Sequence, residues 1–170
     1  MNSNVKLYSL SLRDVRTYAF AALFIVGNIV FPQLCHALMP KGGLIFLPIY
    51  FFTLIGAYKY GAKVGLLTAL LSPLINSAFF GMPPVAALPM IVMKGVLLAC
   101  AASVIANRTK SVSIFAILVV VLMYQVVGCG IEWAVKGSFM AGVQDFRLGV
   151  PGMLIQVIGG WAFIKFILKK

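Results

Sequence analysis

The fold class predicted by the sequence is an all-α integral membrane protein, a six-helix bundle with both termini in the cytoplasm. Three observations predict it. Hydrophobic residues make up 62% of the chain and charged residues only 10%, against about 25% charged in soluble domains. The apolar residues gather into six stretches, each long enough to cross a hydrocarbon core of about 30 Å as a helix. The cations fall into alternate gaps between those stretches, the pattern that orients multi-span proteins with their positive loops inside. The net charge of +11 therefore reports orientation in a bilayer and argues little for nucleic acid as a partner.

The predicted spans lie at about 14–35, 43–58, 62–80, 85–106, 111–131 and 146–168, within a single membrane domain covering 1–170. The first lacks a small-residue cleavage signature and reads as a retained span. The second is short, so it is expected to tilt little or to be shielded by its neighbours. Ten of the fourteen cations fall on one side: Lys6, Arg13, Arg16, Lys59, Lys63, Arg108, Lys110, Lys165, Lys169 and Lys170. Lys41, Lys136 and Arg147 fall on the other, and Lys94 lies inside a span. That asymmetry places both termini in the cytoplasm. The chain is expected to be a multi-pass protein embedded in lipid.

The loops differ between the two sides. The inner ones are tight, as in Lys59–Lys63 and Asn107–Lys110. The outer ones carry Pro and Gly, which preset turns, in Met39–Gly43 and Gly81–Pro84, and the last runs from Glu132 to Arg147. That last loop holds Trp133, Phe139, Met140 and Phe146. So many apolar groups suit a lid packed over the bundle better than a solvated strap.

Polar groups inside spans are the first candidates for function, because a lysine at depth costs about 2.5–3.5 kcal/mol on insertion scales. Lys94 can serve as a cation for an anionic ligand, pair with Glu132, or snorkel along its stem. Gln125, Gln156 and Asn76 can hydrogen-bond a ligand or join helices to one another. Glu132 beside Trp133 can hold a cationic or ring-shaped ligand, although Trp also favours membrane interfaces in its own right. Lys41, Asp145 and Arg147 sit on the outer rim, where charges are usually only solvated. His36 follows Cys35, but a zinc site takes three or four ligands and no second histidine exists, so no metal is expected, and His36 stands as a candidate substrate contact. Cys35 and Cys129 are both placed near the outer face, and three cysteines in all fit no disulfide framework.

No GxSxG, HExxH, P-loop or paired-carboxylate constellation occurs, so the chain reads as a binder or carrier and not as an enzyme. Few polar groups are available to line a channel. Small residues stud the spans and permit close helix approach. No inverted repeat of the kind found in self-sufficient transporters is evident.

The stretch Leu47-Pro48-Ile49-Tyr50 leads to Gly56-Ala57-Tyr58-Lys59-Tyr60-Gly61-Ala62-Lys63-Val64-Gly65, followed by Leu71-Ser72-Pro73-Leu74-Ile75-Asn76 and Gly81-Met82-Pro83-Pro84. With six short spans in about 170 residues, the chain resembles the substrate-binding S component of energy-coupling factor (ECF) vitamin transporters. The resemblance implies capture of a vitamin-like micronutrient from the outer face and its release inward by a toppling subunit. Its partners would be a coupling transmembrane subunit and two ATPases, which alone would use ATP; no covalent cofactor is implied.

On the same resemblance, Lys94, Gln125, Glu132, Trp133 and Gln156 line the pocket, and the loops Met39–Gly43 and Gly81–Pro84 gate it. Ala19, Ala22 and Gly27 stand where the family carries its AxxxA docking pattern. The ligand stays open among riboflavin, thiamine, biotin, pantothenate, folate, a cobamide and queuine-type compounds, with Lys94 pointing toward a carboxylate or phosphate. The alternative is a membrane scaffold of the rod-shape-determining type, similar in size and span number, which would need no ligand. An intramembrane enzyme is the third reading.

Overall fold

The computed structural model describes residues 5–168; Lys169 and Lys170, counted above among the inner cations, lie outside the described residues. Among the described residues every regular element is helical. Its long helices are α1 (Val15–Leu38), α4 (Ala62–Phe80), α5 (Leu88–Thr109) and α6 (Ile114–Lys136), with shorter α2 (Gly42–Phe46), α3 (Phe51–Tyr60), α7 (Phe139–Gly142) and α8 (Gln144–Leu148) between them. The last helix, α9, runs Val150–Ile167 and carries π-helical stretches at Ile155–Gly159 and Phe163–Ile167. Among the described residues five helices are long and apolar enough to cross a membrane: α1, α4, α5 with its leading turn from Val85, α6 and α9.

The expected span at 43–58 is the departure. It is divided into α2, a 3-10 turn at Pro48–Tyr50 and α3. Leu47 takes a left-handed conformation, φ 46° and ψ 44°. The cause is local: proline disfavours the helical region for the residue before it and has no N–H to give. Beyond the break, α3 forms the centre of the bundle. Nine of its ten residues are buried, including Leu54, Ile55 and Ala57, and it packs against α1, α4 and α5. A helix apolar on every side belongs inside other helices.

Helix ends follow from caps. The Asp14 carboxylate accepts from the Arg16 backbone N–H at 3.0 Å and from its guanidinium at 2.7 Å, satisfying an orphan donor of the first turn. Those hydrogen bonds from Arg16 hold the Asp14 carboxyl below its ordinary pKa. Ser113 caps α6 by accepting from Ala116 N–H. Between α3 and α4 the chain reverses at Gly61, φ 100°, where a side chain would also press on the backbone of Tyr8 and Ser9.

Residues 5–11 run along that reversal. Tyr8 N–H donates to Lys59 O at 2.8 Å and Leu10 N–H to Tyr60 O at 3.1 Å. Lys59, read from the sequence as a loop cation, is instead wholly buried, its Nζ donating to Lys6 O at 2.5 Å. The arm covers it because the tight α3–α4 turn leaves carbonyls there for an extended segment to pair with.

A polar network missed in the sequence joins α1, α3 and α4. Asn28, buried in mid-α1, donates from Nδ2 to Thr53 Oγ1 at 3.0 Å and accepts the Phe52 N–H at 3.1 Å. Its backbone carbonyl accepts from Asn76 Nδ2 at 2.8 Å. Every group is used, so the network orders the helices without an unpaired polar atom. Asn28→Ala strips the Phe52 N–H of this acceptor; the expected loss is about 1–3 kcal/mol, read as a lowered thermal midpoint in detergent.

Candidate functional site

One end of the bundle holds a buried ion group. Lys94 lies in the second turn of α5, about 9 Å from the helix start, and is 2% exposed. Its Nζ stands 2.6 Å from Glu132 Oε2 on α6 and 2.6 Å from Asp145 Oδ2 on α8. The far oxygen of Glu132 accepts from Lys136 Nζ at 2.5 Å, one turn along the same helix. Two cations thus face two carboxylates, and the group is neutral as a whole. Gly128 makes room for it: a Cβ there would meet the Lys94 Cγ at 2.8 Å. The lysine stem crosses α6 through that notch, which sets its ammonium between the two acids.

Beneath lies a second polar layer. Tyr124 OH donates to Gln156 Oε1 at 2.9 Å, and Gln156 Nε2 reaches Leu47 O at 3.5 Å. Tyr50 packs on Tyr124 with ring centroids 5.5 Å apart. The break at Leu47 turns its carbonyl toward α9, and the π-helical stretch there carries Gln156; such bulges often mark functional segments. Gln125 shares the α6 face of Gly128 and Glu132. It is fully buried, and neither its amide nitrogen nor its oxygen has a hydrogen-bond partner.

The segment 137–149 closes this end. It leaves α6 at Gly137, φ 64°, and forms α7 and α8. Gly142 seats it against Trp133 and the Cys129 carbonyl, where a Cβ would come within 2.9 Å of both. Phe146 packs on the core while Phe139 and Met140 stay exposed. Asp145 enters from this lid, so the ion group ties the lid to α5 and α6.

The predicted site residues divide accordingly. Lys94 and Glu132 meet directly, and Gln125 and Gln156 are buried in the same half of the bundle. Trp133 does not join them: it is 51% exposed, edge-on to Phe139 of the lid. Asn76 belongs to the Asn28 network and also accepts from Gln33 Nε2 at 3.4 Å. His36 is half-buried against Gly43. Ala19 and Ala22 lie on the exposed face of α1, whereas Gly27 faces inward onto Phe52. The Gly81–Pro84 turn lies mostly exposed, and Gly42 of the Met39–Gly43 loop packs on the Cys35 carbonyl.

Sequence reasoning took Asp145 for a solvated rim charge and passed over Tyr50 and Tyr124. The available signal for Asp145 was scarcity, since the chain has only three acids and a buried lysine needs anions. Among the described residues no group of three metal-ligating side chains occurs, and all three cysteines are free. Apart from the ion group, an apolar groove of about 240 Å³ runs between α5 and α6 beside Cys100, Met123 and Tyr124. No protein-family model, curated protein or solved structure matches the chain.

Removing one partner of a buried ion pair costs about 3–5 kcal/mol, because the remaining charge is stranded. Lys94→Ala is expected to lower stability by that much. In an Asp145→Asn, Glu132→Gln background the same change should cost clearly less, the non-additivity of groups in one network. Thermal unfolding of the four proteins in detergent measures the coupling.

Proposed function

We propose that the protein is the substrate-binding S component of an ECF-type importer in the cytoplasmic membrane of a bacterium. It spans the membrane six times, the broken α2–α3 segment counting as one crossing, with both termini inside. It captures a vitamin-like micronutrient at the outer face, under the 137–149 lid, and releases it inward while partner subunits hydrolyse ATP. The chain itself is no enzyme.

The observation that carries this reading is a buried cation, Lys94, together with a buried amide without partners, Gln125, on the α6 face that it shares with Gly128 and Glu132. Bundles built only to pack do not need either, and each is costly in an apolar interior. Gln156 and Tyr124 extend the polar lining. The exposed Ala19 and Ala22 supply a flat strip on α1 for a coupling subunit, as small residues allow helices to approach closely.

One observation favours the scaffold reading instead. Lys94 is already neutralised within the chain by Glu132 and Asp145, as a purely structural ion pair would be. The two readings differ in what denaturation of the detergent-purified protein releases. A stoichiometric vitamin-like compound, identified by mass spectrometry and lost in Lys94→Ala, is the expected result. Protein free of small molecules across several rich media would favour the scaffold.

A further inference from the structure

We propose that the Asp145 carboxylate is a tethered stand-in for the ligand, holding on Lys94 the place that the carboxylate of a small monoanionic compound takes when it binds. This deepens the substrate-binding reading above and rests on it.

The two acids on Lys94 are not equivalent. Glu132 belongs to the 23-residue α6, is held by Lys136 as well, and has a side chain 9% exposed. It moves only if α6 moves. Asp145 sits on the five-residue α8 in a segment bounded by Gly137 and Gly149, with a side chain 17% exposed. Among the described residues Lys94 is its ion-pair partner, and Arg147 lies two positions on. Asp145 is therefore the acid that can leave, and it leaves into solvent with a cation close by in the chain.

Charge then limits what replaces it. The group holds two cations and two anions. A monoanion in place of Asp145 restores that balance, whereas a doubly charged phosphate adds an uncompensated charge to a low-dielectric site. Gln125 points independently to a ligand and defines its second feature. Its amide donor and acceptor are both buried and unpaired, about 5 Å along α6 from the Gly128 notch that carries the Lys94 stem. A compound bearing a carboxylate and, a few bonds away, an amide-like donor–acceptor pair satisfies both. Its arrival unfastens the lid, since a third carboxylate on the Lys94 ammonium would leave the buried group with an uncompensated negative charge, and Asp145 is the acid free to give way.

The test uses the full chain in lipid nanodiscs with 4-acetamidobutyrate as the probe. Sodium chloride at matched ionic strength and inorganic phosphate are the controls. Asp145→Asn and Asp145→Ala are compared with the unaltered protein and with Glu132→Gln, which spares the latch. Hydrogen exchange of amides 139–148 is expected to speed up at least tenfold in both Asp145 variants and not to speed up in Glu132→Gln, where Asp145 keeps Lys94 to itself. Probe affinity should rise at least tenfold in the Asp145 variants, and phosphate should bind more weakly than the probe throughout. Equal lid exchange in all proteins, or probe affinity unaffected by Asp145, overturns the proposal. A ligand that copurifies while Asp145 proves neutral would remove the stand-in and leave the binding subunit. Tighter probe binding in the Asp145 variants, with nothing copurifying, would keep the anion site and remove the importer reading.

Discussion

A primary ammonium in the interior of a helical bundle is the constraint on which the rest of this structure turns. Lys94 is too deep in α5 to be left alone, since an isolated charge in such surroundings costs several kcal/mol. Its neutralisation recruits an acid from α6, and Lys136 then compensates the same acid from the other side. It recruits a second acid from the 137–149 segment, which is how that segment comes to lie across the bundle end and not out in the headgroups. It also requires a notch in α6 for the lysine stem, and glycine occupies position 128. Helix packing, lid closure and side-chain size at three distant positions thus follow from one charge.

The second organising element is the interruption at Leu47-Pro48. A continuous helix over 43–58 would point its carbonyls into its own hydrogen bonds. The break frees the Leu47 carbonyl, which accepts from Tyr50 N–H and faces Gln156. It also lets α3 enter the bundle as a short, almost wholly apolar core helix in which the Thr53 hydroxyl is met by Asn28. The two polar groups are therefore kept apart, one binding α1 to α3 and α4, the other gathered between α5, α6, α8 and α9. The first is satisfied throughout. The second leaves Gln125 unpaired, and that asymmetry is what distinguishes the two groups.

This division also explains why the lid end is the place to expect events. Local opening in proteins draws on segments with few buried contacts, and 137–149 consists of two short helices between glycines. It is held on the bundle by Gly142 seated against Trp133 and the Cys129 carbonyl, by Phe146, and by an ion pair whose other member is already served by Glu132. At the opposite end the N-terminal arm is laid down by backbone hydrogen bonds to the α3 terminus and by Tyr8 stacked near Tyr60, contacts that no exchange of charge would release.

By itself the sequence determined the helical membrane class and the positions of five long helices, because segment length and hydropathy are sums over neighbouring residues and need no partner. It also marked Lys94, Glu132, Gln125 and Gln156, since a polar group in an apolar run stands out whatever it touches. The tertiary structure alone decided which of these meet. Asp145 lies 51 positions from Lys94 and nothing in its neighbourhood distinguishes it from a rim charge; only the fold of the lid brings it inward. Trp133 and Asn76, equally plausible by composition, were assigned elsewhere by helix rotation, which a 3.6-residue period fixes only once the facing helix is known. The division of the second span was not anticipated, although Pro48 is its local cause, and its consequence, a freed carbonyl facing Gln156, depends on a contact 109 residues apart. Charge and hydropathy are properties of residues, and pairing is a property of the packed chain.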